Sequence, residues 1–213
     1  MKIPPLFITA TGTDIGKTYI TSLLIHALGR RGVKTAAFKP IETGVIAEPA
    51  DGAALQRALL SYPHNPLLDL ETIVPVRYAL AATPAVAAGD SPIDWPRIDE
   101  AFVRCCDGAD IVLIEGAGGV LSPLQGDRPL IDLARRFEAR VLLIAPDRLG
   151  MIHDLLAAHE ALDARGFTPL LGVNRRGDEG FDRCTRPWLE RHLPEALLLP
   201  EEIETLTEKV LKC

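Results

Sequence analysis

A Gly16-Lys17-Thr18 tripeptide stands between a short apolar run, Leu6-Phe7-Ile8-Thr9, and a helical pattern from Lys17 to Arg31. At such a junction the backbone N–H groups and the helix N-terminus surround an anion, and phosphate suits them best. Lys17 can reach the β and γ oxygens of a nucleotide, and the Thr18 hydroxyl can take a position on magnesium. The loop is one residue out of step with the strict G-x-x-x-x-G-K-[ST] spacing. Thr11 stands where that pattern has glycine, and Gly12 follows it. Strand, loop and helix still fall where a phosphate site needs them.

Other charged residues follow apolar runs in the same way. Thr35-Ala36-Ala37-Phe38-Lys39 reads as a strand ending at Lys39-Pro40-Ile41-Glu42-Thr43-Gly44, and Ile111-Val112-Leu113-Ile114 as one ending at Glu115-Gly116-Ala117-Gly118-Gly119. Two further strands end at Pro146-Asp147-Arg148-Leu149-Gly150 and at Asn174-Arg175. In open α/β sheets ligands bind outside the carboxyl ends of the strands, so these groups converge on the edge that carries the phosphate loop. A carboxylate after four apolar residues, as at Glu115, can hold magnesium or order its water shell. Lys39 beside Lys17 can stabilise charge that develops during phosphoryl transfer, and both lysines are expected at the sheet edge rather than in the core. Asp51 reads from its neighbours as a cap for a helix beginning near Gly52 or Ala53.

The elements that must position these groups alternate along the chain. Helical stretches are expected at Ala53 to Leu60, Pro92 to Cys106 with Asp94 as N-cap, Ile152 to Arg165, Phe181 to His192 and from about Ile203. Continuous apolar strands fall at Val141–Ala145, Pro169–Val173 and Ala196–Leu199, with a short extended piece at Ile73–Val76. The proline-rich stretch 61–92 leaves its other elements undecided. Such alternation gives an α/β fold, a doubly wound and mostly parallel sheet in a P-loop NTPase-like three-layer sandwich. The absence of a repeat or linker predicts one domain over 1–213.

Composition limits the partners. The chain has 213 residues, of which 47% are hydrophobic and 24% charged, enough to bury one core. A net charge of −6 offers no basic surface for nucleic acid, though a local site can still be positive. Nothing at the N-terminus reads as a signal peptide and no apolar run is long enough to span a bilayer, so a cytoplasmic protein is expected. The four cysteines, 105, 106, 184 and 213, form no CxxC pair, and the five histidines no metal spacing; Cys105 and Cys106 read as small apolar residues of a helix.

Taken together these motifs resemble the dethiobiotin synthetase family, a group of ATP-dependent carboligases. Thr9-Ala10-Thr11-Gly12-Thr13-Asp14-Ile15-Gly16-Lys17-Thr18 is similar to the family's phosphate loop, with Ala10 in place of its first glycine. Lys39-Pro40-Ile41-Glu42-Thr43-Gly44, Asp51-Gly52-Ala53-Ala54-Leu55-Gln56 and Ile114-Glu115-Gly116-Ala117-Gly118-Gly119 resemble its next three motifs in order. Leu149-Gly150-Met151-Ile152-His153-Asp154 resembles a fifth, with His153 at the family's asparagine, and Asn174 falls at its adenine-contacting asparagine.

The resemblance implies that ATP and CO2 convert 7,8-diaminononanoate to the ureido ring of dethiobiotin, with Mg2+ as cofactor. Lys17 and Lys39 would be the catalytic residues, and Thr18, Asp51 and Glu115 the metal ligands. It further assigns Thr13, Asp14, Ile15, Gly16, Lys17, Thr18, Tyr19, Asp51, Glu115, Gly116, Ala117, Gly118, Asn174, Arg175 and Pro200 to ATP, with 116–118 also bordering the diamine. Thr43, Gly150, Ile152 and His153 would bind the substrate, and a homodimer is implied. The family glycine before the late proline is missing at Leu199-Pro200-Glu201, which implies a relaxed preference for the nucleotide base. Two other P-loop readings remain: an amidoligase, which needs a reactive cysteine that this chain does not place in a nucleophile turn, and a switch ATPase of the partition or septum-site type, which needs an extra lysine where Thr11 stands.

Overall fold

The computed structural model describes residues 3–177 and 180–212. β1 (Leu6–Ala10) is buried at every position, and side chains alternate across it: Leu6, Ile8 and Ala10 join one apolar cluster and Phe7 the other. The chain continues through α1 (Lys17–Arg30), β2 (Thr35–Phe38), a short β3 (Ile41–Thr43) and α2 (Ala50–Leu60). The stretch left undecided by sequence contains α3 (Leu70–Ile73), β4 (Val76–Tyr78) and α4 (Pro84–Ala88). Next come α5 (Trp95–Cys106), β5 (Ile111–Gly119), a hairpin of β6 (Pro123–Gln125) and β7 (Arg128–Pro129), and α6 (Asp132–Arg136). β8 (Arg140–Pro146), α7 (Met151–Asp163) and β9 (Leu170–Asn174) follow. A π-helical turn, Phe181–Thr185, leads into α8 (Arg186–His192), β10 (Leu197–Leu199) and α9 (Ile203–Leu211).

Six strands form one parallel sheet in the order β10-β9-β8-β1-β5-β2. Buried side chains of α1, α2 and α9 cover one face, and those of α5, α6, α7 and α8 the other. This is the three-layer, doubly wound α/β architecture that the alternation of elements implied. Because both faces are covered, the strands read as unbroken apolar runs. Each fully buried Leu, Ile or Phe contributes about 1.5–3 kcal/mol, so the sheet is a stiff frame for whatever its carboxyl edge carries.

Three local expectations differ from the structure. Asp69 caps α3, its Oδ1 accepting from the Thr72 N–H at 2.7 Å, and the extended piece begins only after Pro75. Ile73–Val76 is therefore a helix end and a bend; the strand is Val76–Tyr78, paired parallel to β3. The glycines after Glu115 were expected in a loop, yet they extend β5, and Gly119 pairs with Ala10 across an irregularity in the register. α2 starts at Ala50 after Pro49, so Asp51 lies in its first turn and is not its cap. The cap comes from outside: Glu42 on β3 accepts from the Asp51 N–H at 3.1 Å and the Gly52 N–H at 3.0 Å. Asp94 does cap α5, accepting from the Arg97 N–H at 3.1 Å.

Cys105 is a buried residue of α5, and burial pushes its thiol up to about 12. Cys213 lies outside the described residues. No helix among the described residues is long and apolar enough to cross a membrane.

Candidate active site

The first turn of α1 carries no side-chain cap and no acid, unlike α2, α3 and α5. Its free N–H groups and the positive end of the helix therefore face the loop that precedes it. Gly16, with φ 95, makes the turn into the helix. A Cβ there would lie 2.3 Å from Asn174 Nδ2 and 2.9 Å from an Arg176 nitrogen, so the position is closed to side chains on two counts. Asp14 is also left-handed, with φ 57. Asn174, arriving at the end of β9, ties the loop down by donating its Nδ2–H to the Ile15 carbonyl at 2.7 Å.

Lys17 projects back along this loop and donates to the Gly12 carbonyl at 3.3 Å. Burial and the neighbouring Lys39 ammonium lower its pKa, against the pull of Glu115, Asp51 and Asp14. Lys39, one residue past β2, is 3% exposed and sits between two carboxylates. Its Nζ lies 2.7 Å from Glu115 Oε1 and 2.8 Å from Asp51 Oδ2. Burial works against its charge, but Glu115 and Asp51 outweigh that cost and raise the ammonium pKa above its ordinary value. Both lysines stand at the sheet edge, as their positions implied, but both are buried rather than free of the core.

Glu115, inside β5, is wholly buried. Its Oε1 accepts from Lys39 and from the Thr18 hydroxyl at 2.8 Å, while its Oε2 is buried and has no partner among the described residues. A buried carboxylate oxygen without a donor is costly unless a cation completes it. Glu115, Thr18 and Asp51 thus present hard oxygens around one point, which suits magnesium. No group of three or more His, Cys, Asp or Glu residues able to hold a metal occurs among the described residues. Such a site fits an ion that keeps waters and borrows phosphate oxygens rather than one caged by protein.

These groups open into a cleft of about 740 Å³ at the carboxyl edge of the sheet. Of the residues singled out by sequence, Thr13, Asp14, Gly16, Lys17, Thr18 and Lys39 line it, as do Thr43, Asp51, Gly116, Ala117 and Gly118. Glu115 stands behind Lys39, and Ile15 is buried beneath the loop. Asn174 reaches the outside of the loop; Tyr19 is half exposed, and Pro200 follows β10. Gly150, Ile152 and His153 lie at the start of α7, outside the cleft of their own chain. Arg175 turns away, pairing with Asp182 at 2.7 Å and lying over the Phe181 ring.

Arg176, one residue later, lines the cleft instead, together with Glu42, Thr83 and Ser122, none of which sequence reasoning named. None of the four had a local signal; Glu42 in particular caps α2 from another strand, eight residues before the helix begins.

A nucleotide-binding α/β protein of the P-loop class is the type of molecule that this sheet, loop and paired lysines define. Among solved structures, MinD in the MinC:MinD cell division complex of Aquifex aeolicus superposes with a TM-score of 0.55 at 13% identity, covering 97% of this chain and 86% of that one. A ParA family ATPase from Chlorobium tepidum gives 0.54 at 12% identity, covering 98% and 92%. These establish the fold alone. A family model described as an AAA domain matches residues 5–178. The ATP-dependent dethiobiotin synthetase BioD of Wolinella succinogenes is 37% identical over 213 residues, covering 97% of this chain and 98% of its own. That of a Sulfurovum species is 38% identical over 191 residues, covering 89% and 91%. The chain belongs to the ATP-dependent dethiobiotin synthetase family.

Proposed function

We propose that the protein is an ATP-dependent cyclo-ligase that joins 7,8-diaminononanoate and CO2 into the ureido ring of dethiobiotin. The observation that carries this reading is the cluster of Lys39, Glu115 and Asp51 against Thr18 and the Gly16 turn, at the one edge where a triphosphate can be held. One amine of the substrate adds to CO2, giving a carbamate and releasing a proton. A carbamate oxygen attacks the γ-phosphorus and ADP leaves, producing a carbamic-phosphoric anhydride. The second amine attacks the carbonyl carbon, and phosphate departs as the ring closes, with the amine proton passing to solvent.

Little of this requires proton transfer by the protein; positioning and charge stabilisation suffice. Lys17 and Lys39 would hold the γ-phosphoryl and carbamate oxygens, and the Thr43 hydroxyl would donate to the carbamate. Thr18, Asp51 and Glu115 would hold magnesium, which when bound supplies charge neutralisation at the phosphate oxygens. Lys39 lies between Glu115 and Asp51, so the carboxylates that hold its ammonium are the same two that would hold the metal.

A homodimer follows from the same reading. Leu149 is 99% exposed just ahead of α7, and Gly150, Ile152 and His153 beside it lie outside the phosphate-loop cleft of their own chain. They suit the substrate site of a second copy. A reduced cytoplasmic setting agrees with the free thiols of Cys105 and Cys184. The test is phosphate release from ATP with bicarbonate and 7,8-diaminononanoate. Release that depends on the diamine is expected. Release without it, stimulated by DNA or a protein partner, would instead favour a switch ATPase.

A further inference from the structure

The outer side of the phosphate loop carries a second set of contacts that the catalytic reading leaves unused. In a loop whose N–H groups turn toward phosphate, the carbonyls turn outward. Two consecutive carbonyls on that side are occupied: Ile15 accepts from Asn174 Nδ2 at 2.7 Å, and Asp14 accepts from an Arg176 Nη at 2.8 Å. Both side chains close over Gly16. The backbone of Arg176 is itself pinned, its N–H and that of Gly177 donating to buried Asp147 Oδ2 at 2.6 and 2.9 Å. Arg176 is thus an exposed arginine at the cleft, held at both ends, and among the described residues no carboxylate is paired with its guanidinium. Beside it, the Oδ1 of Asn174, a residue only 1% exposed, is buried with no partner among the described residues. A buried amide oxygen in that position is set to accept an N–H from a ligand, and the exocyclic amine of a purine supplies one.

Resting on the nucleotide site already proposed, we infer that the Arg176 guanidinium forms one wall of the base site, stacked on the face of the purine whose edge meets Asn174. A planar cation attracts a π face, and this one is fixed before the ligand arrives. The same tether steadies the left-handed Asp14, so base and phosphate recognition are joined through one carbonyl. Contact with the phosphates is the competing role, since Arg176 lines the same cleft as Lys17 and Thr18, and the experiment separates the two.

The experiment measures ADP and inorganic tripolyphosphate binding by calorimetry to wild type, Arg176→Ala and Arg176→Lys. Lysine keeps the cation and can keep the bond to the Asp14 carbonyl, but it is not planar. ADP affinity is expected to fall about tenfold in both variants, with tripolyphosphate binding unchanged. An equal loss for tripolyphosphate would make Arg176 a phosphate ligand, full recovery in Arg176→Lys would make it only a tether, and unchanged ADP affinity would give it no role; each overturns the inference. Wild type that binds tripolyphosphate but not ADP would remove the nucleotide reading itself, a result distinct from the other three.

Discussion

The most constrained atom in the cleft is the Lys39 nitrogen, shared by a wholly buried glutamate and a half-buried aspartate. Removing one partner of a buried ion pair usually costs about 3–5 kcal/mol, because the other charge stays behind. Lys39→Ala is therefore expected to abolish turnover and, in magnesium-free buffer, to lower the melting temperature. Added Mg2+ should recover part of that loss while moving wild type little; equal shifts in both proteins would refute a shared cation position. Lys17 donates its side-chain hydrogen bond to the Gly12 carbonyl and forms no salt bridge among the described residues, so Lys17→Ala should lose turnover with near-normal melting.

Asp51 adds a pH dependence. Burial alone would raise its pKa, but the Lys39 ammonium outweighs burial and holds it below the ordinary value of about 3.9. A depressed carboxylate contributes stability above its unfolded pKa and loses it as pH falls through the folded one. Asp51→Asn should thus flatten the decline in stability below about pH 4, as followed by denaturant midpoints, and leave neutral-pH midpoints less affected than Lys39→Ala does.

At the scale of elements, α2 matters because it delivers Asp51. Its start is fixed from two sides, by the Glu42 carboxylate on its first N–H groups and by contact of Gly52 with Val74. A Cβ on Gly52 would lie 2.3 Å from Val74 Cγ2, so the helix can approach only with glycine there. Overpacking of this kind costs about 1–3 kcal/mol. Gly52→Ala should lower stability by that amount and raise the magnesium concentration needed for half-maximal turnover. The exposed Arg57→Ala on the same helix should do neither, and matching magnesium titrations for the two variants would detach α2 from the metal site.

For the whole molecule, the parallel sheet gathers residues more than a hundred positions apart onto one rim, and it leaves the α7 start projecting. Leu149→Glu places a charge on that exposed point. If the face joins two copies, the variant should sediment as a monomer, still bind ADP and lose diamine-dependent phosphate release, since the partner's contribution to each site would be gone. Wild-type sedimentation by Leu149→Glu would falsify the role of this face.

The sequence by itself marked the six strands of the central sheet, the phosphate turn, and Lys17, Lys39 and Glu115 as candidates for its edge. Apolar runs and glycine turns are local signals, and a parallel sheet sends every strand end to one rim. Family motifs marked Asp51, but its neighbours alone suggested a cap, because the true cap is Glu42 from another strand. Short-range pattern also could not say that β5 runs on through its glycines beside the irregular end of β1. The choice of Arg176 over Arg175 at the cleft was likewise tertiary: adjacent side chains diverge after a strand, and Asp182, Phe181 and the Asp14 carbonyl decide which arginine faces the cleft.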